Sequence, residues 1–234
     1  MRVALIDWDN TTHQGYTIYG LADHLLSEGI VSIQLLHKFE QLKAAYAVGQ
    51  ISYYDYTEQT CAAFADQLAG TPLPRYQEAI RSFLPKNERA LFPKVDALFE
   101  MLHRYDIAVY LVSGAPYDVL NCYRARFGIQ GIFGFKLGKA NGMLTGNVAS
   151  NYGINKQSVL RQPWFNRPDN VHLISIGDAI ADIPLLNNAI IPIIVGHEQL
   201  ALRHPAQALR FSDVHWDLEQ LESCLARIHS DSIQ

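Results

Sequence analysis

Apolar residues fall along this chain in two patterns. Largely apolar runs at 3–6, 107–112, 171–176 and 190–195, the third crossed by His172 and Ser175 and the fourth by Pro192, predict strands buried on both faces, because a strand covered on one side would alternate apolar with polar positions. From residue 12 to about 85 the pattern is helical instead. Leu35, Phe39, Leu42 and Tyr46 recur on one helix face, with Gly49 placed to end it. Ser52-x-x-Asp55 opens a second helix through Tyr56, Phe64 and Leu68 to Gly70, and a third follows Pro74. The punctuation at Leu73-Pro74 and at 84–88 marks a turn and the return from this helical insert.

The second half alternates the two patterns. Val95, Leu98, Phe99 and Leu102 mark an amphipathic helix, and the next strand ends at Ser113-Gly114. Pro116 sits where a helix would start and Gly128 where it would stop. Asn141-Gly142 predicts a hairpin within 133–148. A helix is expected around 156–160, a strand ending at Gly177-Asp178, and a short helix around Leu200. Strand–helix–strand repetition implies an α/β fold: a mostly parallel, Rossmann-like sheet with helices on both faces, an inserted all-helical cap and a small β-hairpin excursion. The boundaries read as a core of 1–13 and 88–234 and a cap of 14–87.

Composition narrows the partners. The chain has 234 residues, 49% hydrophobic and 18% charged, enough for one sizeable core with a smaller insert. A net charge of -4 and no Lys/Arg run give no nucleic-acid footprint, so small molecules are the expected partners. Cys61, Cys122 and Cys224 are far apart and form no C-x-x-C pair, and are expected to be reduced core residues. Before Asp7 there are too few apolar residues for a signal peptide, and no stretch reaches the ~18 that a membrane span needs. A cytoplasmic location without a membrane partner is the expectation. The insert is rich in tyrosine, which is read mainly as half-buried helix packing.

Candidate chemistry gathers at the strand ends. Asp7 and Asp9 follow the first apolar run two positions apart. Like charges near 4 Å repel by roughly 4 kcal/mol at an effective dielectric near 20, so such a pair calls for a cation or a retained proton. In an open parallel sheet, ligands bind beyond the carboxyl ends of the strands. Three strands end in polar residues there: Asp7 with Asp9, Ser113 with Gly114, and Asp178 with Asp182 behind it. An all-oxygen donor set suits Mg²⁺, and the lack of a His/Cys cluster argues against zinc.

Asp7-Trp-Asp9-Asn-Thr11, Ser113-Gly114, Lys156 and Gly177-Asp178-x-x-x-Asp182-x-Pro-Leu-Leu resemble the four ordered motifs of the haloacid-dehalogenase-like phosphohydrolases. With a helical cap between the first and second motifs, the pattern is most similar to the branch that includes the phosphoserine phosphatases. Gly49-Gln-Ile-Ser52, the Asn141 to Gly146 hairpin and Ile183-Pro-Leu-Leu186 add to it. The resemblance implies a Mg²⁺-dependent phosphatase acting on a small phosphomonoester. Asp7 would attack phosphorus and form an aspartyl-phosphate, and Asp9 would serve as general acid and then base. Asp7, the main-chain carbonyl of Asp9 and Asp178 would hold Mg²⁺, with Asp182 behind them or bound through water. Ser113, the Gly114 N–H and Lys156 would bind the phosphoryl oxygens, the first two at a helix start. Thr11 would order the turn beside the substrate.

Some positions depart from the family pattern. Asn10 stands where glycine is frequent, and Ala179 where a hydroxyl residue is often found. His13-Gln14-Gly15 occupies the place where phosphoserine phosphatases carry an amine-binding glutamate, which argues against phosphoserine as substrate. Trp8 is read as packing under the turn. His13 is read as a surface residue with a possible view of the substrate. Lys136 and Lys139 are rival cations to Lys156, and Tyr16, Tyr19, Tyr53, Arg75 and Arg81 are candidates for leaving-group contacts. A phosphotransferase or mutase, or a non-catalytic phosphoryl-binding scaffold, are the alternatives.

Overall fold

The computed structural model describes residues 1–212 and 215–231. Seven strands, β1 (Arg2–Ile6), β2 (Ile107–Pro116), β3 (Gly131–Ala140), β4 (Met143–Ser150), β5 (Val171–Gly177), β6 (Ile191–Val195) and β7 (Leu209–Phe211), form one sheet. Its order is β4-β3-β2-β1-β5-β6-β7. All neighbours pair in parallel except β3 with β4. The chain moves outward from β1 to one side through β2 and β3, then returns to the other side through β5, so the carboxyl end of β1 is the switch point. Asp7 follows directly.

The unbroken apolar run of β1 has its expected cause. Val3 and Leu5 pack with Val159 and Leu185 on one face, and Ala4 and Ile6 join Leu98 and Leu221 on the other. These four side chains of β1 are fully buried. Helices α1 (Thr17–Ser27), α2 (Ile33–Ala47), α3 (Tyr53–Gln67) and α4 (Leu73–Glu88) fill the insert. The pattern alone separated three of these. Ser52 caps α3 as predicted: its hydroxyl accepts from the Asp55 N–H at 3.1 Å, and its own N–H donates to the Asp55 carboxylate at 3.3 Å. α4 runs through the stretch 84–88, where the return was expected, and contains Pro85, with Phe83 and Asn87 both buried in its last turns.

The remaining helices are α5 (Val95–Arg104), α6 (Tyr117–Cys122), α7 (Ile183–Leu186) and α8 (Leu218–Asp231). β2 continues past Ser113-Gly114, where it was expected to end, to Pro116. Residues 156–161 form 3-10 turns. The expected helix around Leu200 is absent: Leu200 packs irregularly against Leu186 and Ile194, and the chain goes on to β7. Of the cysteines, all free, Cys61 alone is buried; Cys122 is exposed and Cys224 half-buried. No described helix is long and apolar enough to cross a membrane.

The predicted hairpin turns at Asn141 and Gly142, both with positive φ (49° and 75°), which an Asn-Gly pair adopts readily. Its tip is bound to the α3–α4 connection. Gly70 N–H donates to Leu144 O, Leu144 N–H to Thr71 O, and Leu73 N–H to Gly142 O, each at 2.9 Å. Phe64 of α3 meets Phe135 of β3 edge-on at 6.1 Å. One hydrophobic cluster therefore runs without a break from the insert to the sheet.

Candidate active site

The turn after β1 is built by its own backbone. Asp7 N–H donates to Ile176 O at 2.9 Å, extending the pairing with β5, and Trp8 O accepts from the N–H groups of Thr11, Thr12 and His13. Asn10 takes the left-handed conformation that a glycine would take (φ 55°), and its amide oxygen accepts from Gly15 N–H at 3.0 Å. Asparagine tolerates this region because its side chain can bond locally. Trp8 is fully buried against Tyr123, with ring centroids 4.8 Å apart, in agreement with a packing role. His13, read as a surface residue, is instead buried and stacked 6.0 Å from Trp8, because the turn folds it inward.

Four carboxylates and one ammonium meet above β1. Lys156 Nζ lies 2.8 Å from Asp7 Oδ2 and 2.6 Å from Asp182 Oδ1. Asp7 Oδ1 accepts from Trp8 N–H at 2.7 Å. Asp182 uses its other oxygen to accept from Ala179 N–H at 3.1 Å, so the backbone supplies a bond where a hydroxyl side chain is missing. Asp178 accepts from the Thr11 hydroxyl at 2.9 Å. Thr11 thus serves Asp178 rather than the cavity. Asp7, Asp178 and Asp182 each offer an oxygen, all within 4.8 Å of one another. This hard-oxygen set, with more negative than positive charge, fits a Mg²⁺ ion.

Burial penalises these charges, and each group answers according to its partners. Lys156 would be lowered by burial, but Asp182 and Asp7 outweigh that and hold it above its ordinary range. Asp9 is pushed up to about 7 by burial, against the lowering effect of its bonds to Thr17. Those bonds come from Thr17 N–H at 2.9 Å and Thr17 Oγ1 at 2.5 Å, so Asp9 sits at the N-terminus of α1. Asp178 is raised by burial and then by its neighbours Asp7 and Asp182. Asp9 thus titrates nearer neutrality than an ordinary carboxylate, the range that suits a group exchanging protons.

Ser113 is buried beside the same cavity, and its Oγ accepts from Ala115 N–H at 3.2 Å. Gly114 faces Gly153 so closely that a Cβ on Gly153 would lie 2.6 Å from Gly114 Cα. Ser113 and Gly114 stand in strand β2, three or more positions ahead of α6, and not at a helix start as expected. Asp7, Asp9, Ser113, Gly114, Lys156 and Asp178 line one cavity. Across it stand Tyr16, Tyr19 and Tyr53 from the insert.

The other candidates lie elsewhere. Lys139 pairs with Asp118 at 2.7 Å, and Lys136 sits 4.3 Å over the Tyr117 ring. Arg75 donates to the carbonyls of Glu28 and Gly29, and Arg81 pairs with Glu78. Two contributors went unread in the sequence: Thr17, which holds Asp9, and Gly153, which admits Gly114; Gly177, read as a strand end within its motif, also makes room for Asp182, whose Cγ would lie 2.3 Å from a Cβ there. Thr17 opens an apolar helical stretch, a signal that could have been read as a helix start.

The sequence matches no family model and no curated protein. Solved structures do match. A Bordetella pertussis Tohama I protein of unknown function superposes with a TM-score of 0.74 at 20% identity, over 89% of this chain and 97% of the other. A phosphoserine phosphatase, solved as a phospho-aspartyl intermediate analogue, gives 0.60 at 17% identity over 94% and 97%. A HAD family hydrolase from Salmonella enterica serovar Typhi gives 0.65 at 16% identity over 94% and 70%. The chain has the haloacid-dehalogenase-like fold. The HAD-like fold puts Asp7 at its switch point and the helical insert over the same sheet edge, as the motif order implies.

Proposed function

We propose that the chain is a Mg²⁺-dependent phosphomonoester hydrolase that works through an aspartyl-phosphate on Asp7 and acts on a small phosphorylated metabolite. The observation that carries this reading is the Asp7 carboxylate, buried at the switch point, held by Lys156 at 2.8 Å and grouped with Asp178 and Asp182. Asp7, Asp178 and the main-chain carbonyl of Asp9 would hold the ion. When bound, Mg²⁺ offsets the repulsion between a carboxylate nucleophile and a phosphate dianion. Asp182 has both oxygens engaged by Lys156 and Ala179, and so positions Lys156.

In the first half of the reaction an Asp7 oxygen forms a bond to phosphorus as the ester oxygen leaves, and Asp9 gives that oxygen its proton. In the second half Asp9 takes a proton from water, the water oxygen attacks phosphorus, and the bond to Asp7 breaks to release phosphate. Thr17 keeps Asp9 aimed at this task. Ser113, the Gly114 N–H and Lys156 bind the phosphoryl oxygens, and residues 14–87 act as a cap that excludes bulk water. Gln14 and Gly15 in place of an amine-binding carboxylate speak against phosphoserine. The reaction has no need of a membrane or nucleic acid, and a cytoplasmic setting suits it.

Phosphate release from a panel of small phosphomonoesters, with Mg²⁺ or with EDTA, tests the reading. Wild type with Mg²⁺ should release phosphate, whereas EDTA or Asp7→Asn should reduce release to background. Near-normal turnover by Asp7→Asn would rule out the covalent route.

A further inference from the structure

The wall of the cavity facing the carboxylates is uniform in chemistry. Every lining residue contributed by α1, by α3 or by the residue that precedes α1 is uncharged, and four are tyrosines: Tyr16, Tyr19, Tyr53 and Tyr56. These rings brace one another. Tyr16 stands edge-on to Tyr19 at 5.9 Å, the Tyr19 and Tyr56 hydroxyls meet, and Tyr56 stacks on Tyr46 at 5.0 Å. Tyr53 packs against Tyr46 at 6.0 Å. Tyr16 and Tyr53 remain partly exposed, at 51% and 39%, at the cavity mouth.

A carboxylate or ammonium of the leaving group laid against this wall would find no counter-charge on it, which makes its desolvation costly. An aromatic ring meets no such cost. A cation held by ring faces would need several open faces about one centre. Here Tyr56 gives a face to Tyr46 and Tyr16 stands edge-on to Tyr19, an arrangement suited to edge-to-face contact with another ring. Thr60 supplies an independent sign of a ligand. Thr60 lines the cavity and is 5% exposed, and its buried hydroxyl has no hydrogen-bond partner. A buried hydroxyl without a partner costs free energy that a polar ring substituent would recover. Size sets the last limit. The cavity is about 100 Å³ and open on one side, so with the phosphoryl group at Asp7 a single ring at the mouth suits it.

We propose that Tyr16 and Tyr53 form a clamp for the leaving group, and that the substrate is the phosphomonoester of a small, uncharged, single-ring aromatic alcohol with a polar ring substituent. This rests on the phosphatase reading above for the placement of the phosphoryl group at Asp7.

Calorimetric binding with Mg²⁺ present tests the clamp apart from turnover, since phosphonates bind without being cleaved. Benzylphosphonate should bind wild type roughly tenfold more tightly than cyclohexylmethylphosphonate, the size of an aromatic contact. Tyr16→Leu and Tyr53→Leu should each shrink that preference, and Tyr16→Phe and Tyr53→Phe should keep it. Equal or weaker binding of benzylphosphonate, no binding of it, or a preference that survives both leucine variants overturns the clamp. Tighter binding of 2-(trimethylammonio)ethylphosphonate than of benzylphosphonate also overturns it, in favour of a cationic leaving group. A ring-hydroxylated benzylphosphonate should gain affinity that Thr60→Val removes; no gain from any hydroxyl isomer refutes the Thr60 contact. Turnover of benzyl phosphate is measured beside these. Ring preference without release from any ester keeps the clamp and sinks the hydrolase, and release without ring preference does the reverse.

Discussion

Asp9 shows how one side chain's surroundings set its chemistry. Burial raises it to about 7, so the folded state binds a proton that the unfolded chain, with an ordinary value of 3.8, releases. The linked stability is fully present below about pH 4 and is lost as pH rises to about 7. In EDTA, Asp9→Asn should therefore be more stable than wild type at pH 8, by on the order of a few kcal/mol. The advantage should vanish near pH 3.5 in urea titrations. An equal difference at both pH values would refute the buried-acid account. Gly177 acts through space alone. A Cβ there would meet Asp182 Cγ at 2.3 Å, and Lys156 and Ala179 hold that carboxylate in place. Gly177→Ala should lose about 1–3 kcal/mol in urea unfolding, together with turnover, because Lys156 moves with Asp182.

Among the elements, α3 carries most of the insert's contribution to the cavity, and its start was legible. The Ser52–Asp55 capping box fixes the first turn, the one that presents Tyr53 and Tyr56. Ser52→Ala should cost about 1 kcal/mol in thermal or urea unfolding; no measurable loss would mean that packing alone positions α3. The β3–β4 hairpin was legible too, through Asn141-Gly142, but its task was not. Its tip bonds to residues 70–73, which are remote in sequence, and nothing in a local pattern announces such a partner. The helix expected near Leu200 failed for the opposite reason: a few apolar residues match either period, and Leu200 is buried by packing without a helix.

For the whole molecule, the continuous hydrophobic cluster and the hairpin tie the insert to the sheet. Division into a core and a cap at 14–87 is a proposal about motion rather than about separate cores. Urea unfolding followed by tyrosine fluorescence, weighted toward the insert, and by tryptophan fluorescence, weighted toward the sheet, should give coincident transitions. Two separated midpoints would assign the insert its own stability. The central place of β1, flanked in parallel by β2 and β5, is what brings three distant strand ends to one edge.

By itself the sequence determined the α/β class, the helical insert, the hairpin and the polar strand ends, because hydrophobic period and turn chemistry act locally. Asp7, Asp9, Ser113 and Asp178 were readable as candidates for the same reason, since charged and small polar residues stop apolar runs, whereas Lys156 ends no such run and was marked only by the order of the motifs. Only the tertiary structure decided which partner each would find. Thr17 reaches Asp9 and Thr11 reaches Asp178, while Lys156 divides itself between Asp7 and Asp182. Each such pair is separated along the chain and joined by packing, and the balance of burial against the bonds from Thr17, which shifts Asp9, exists only once the fold has closed around it.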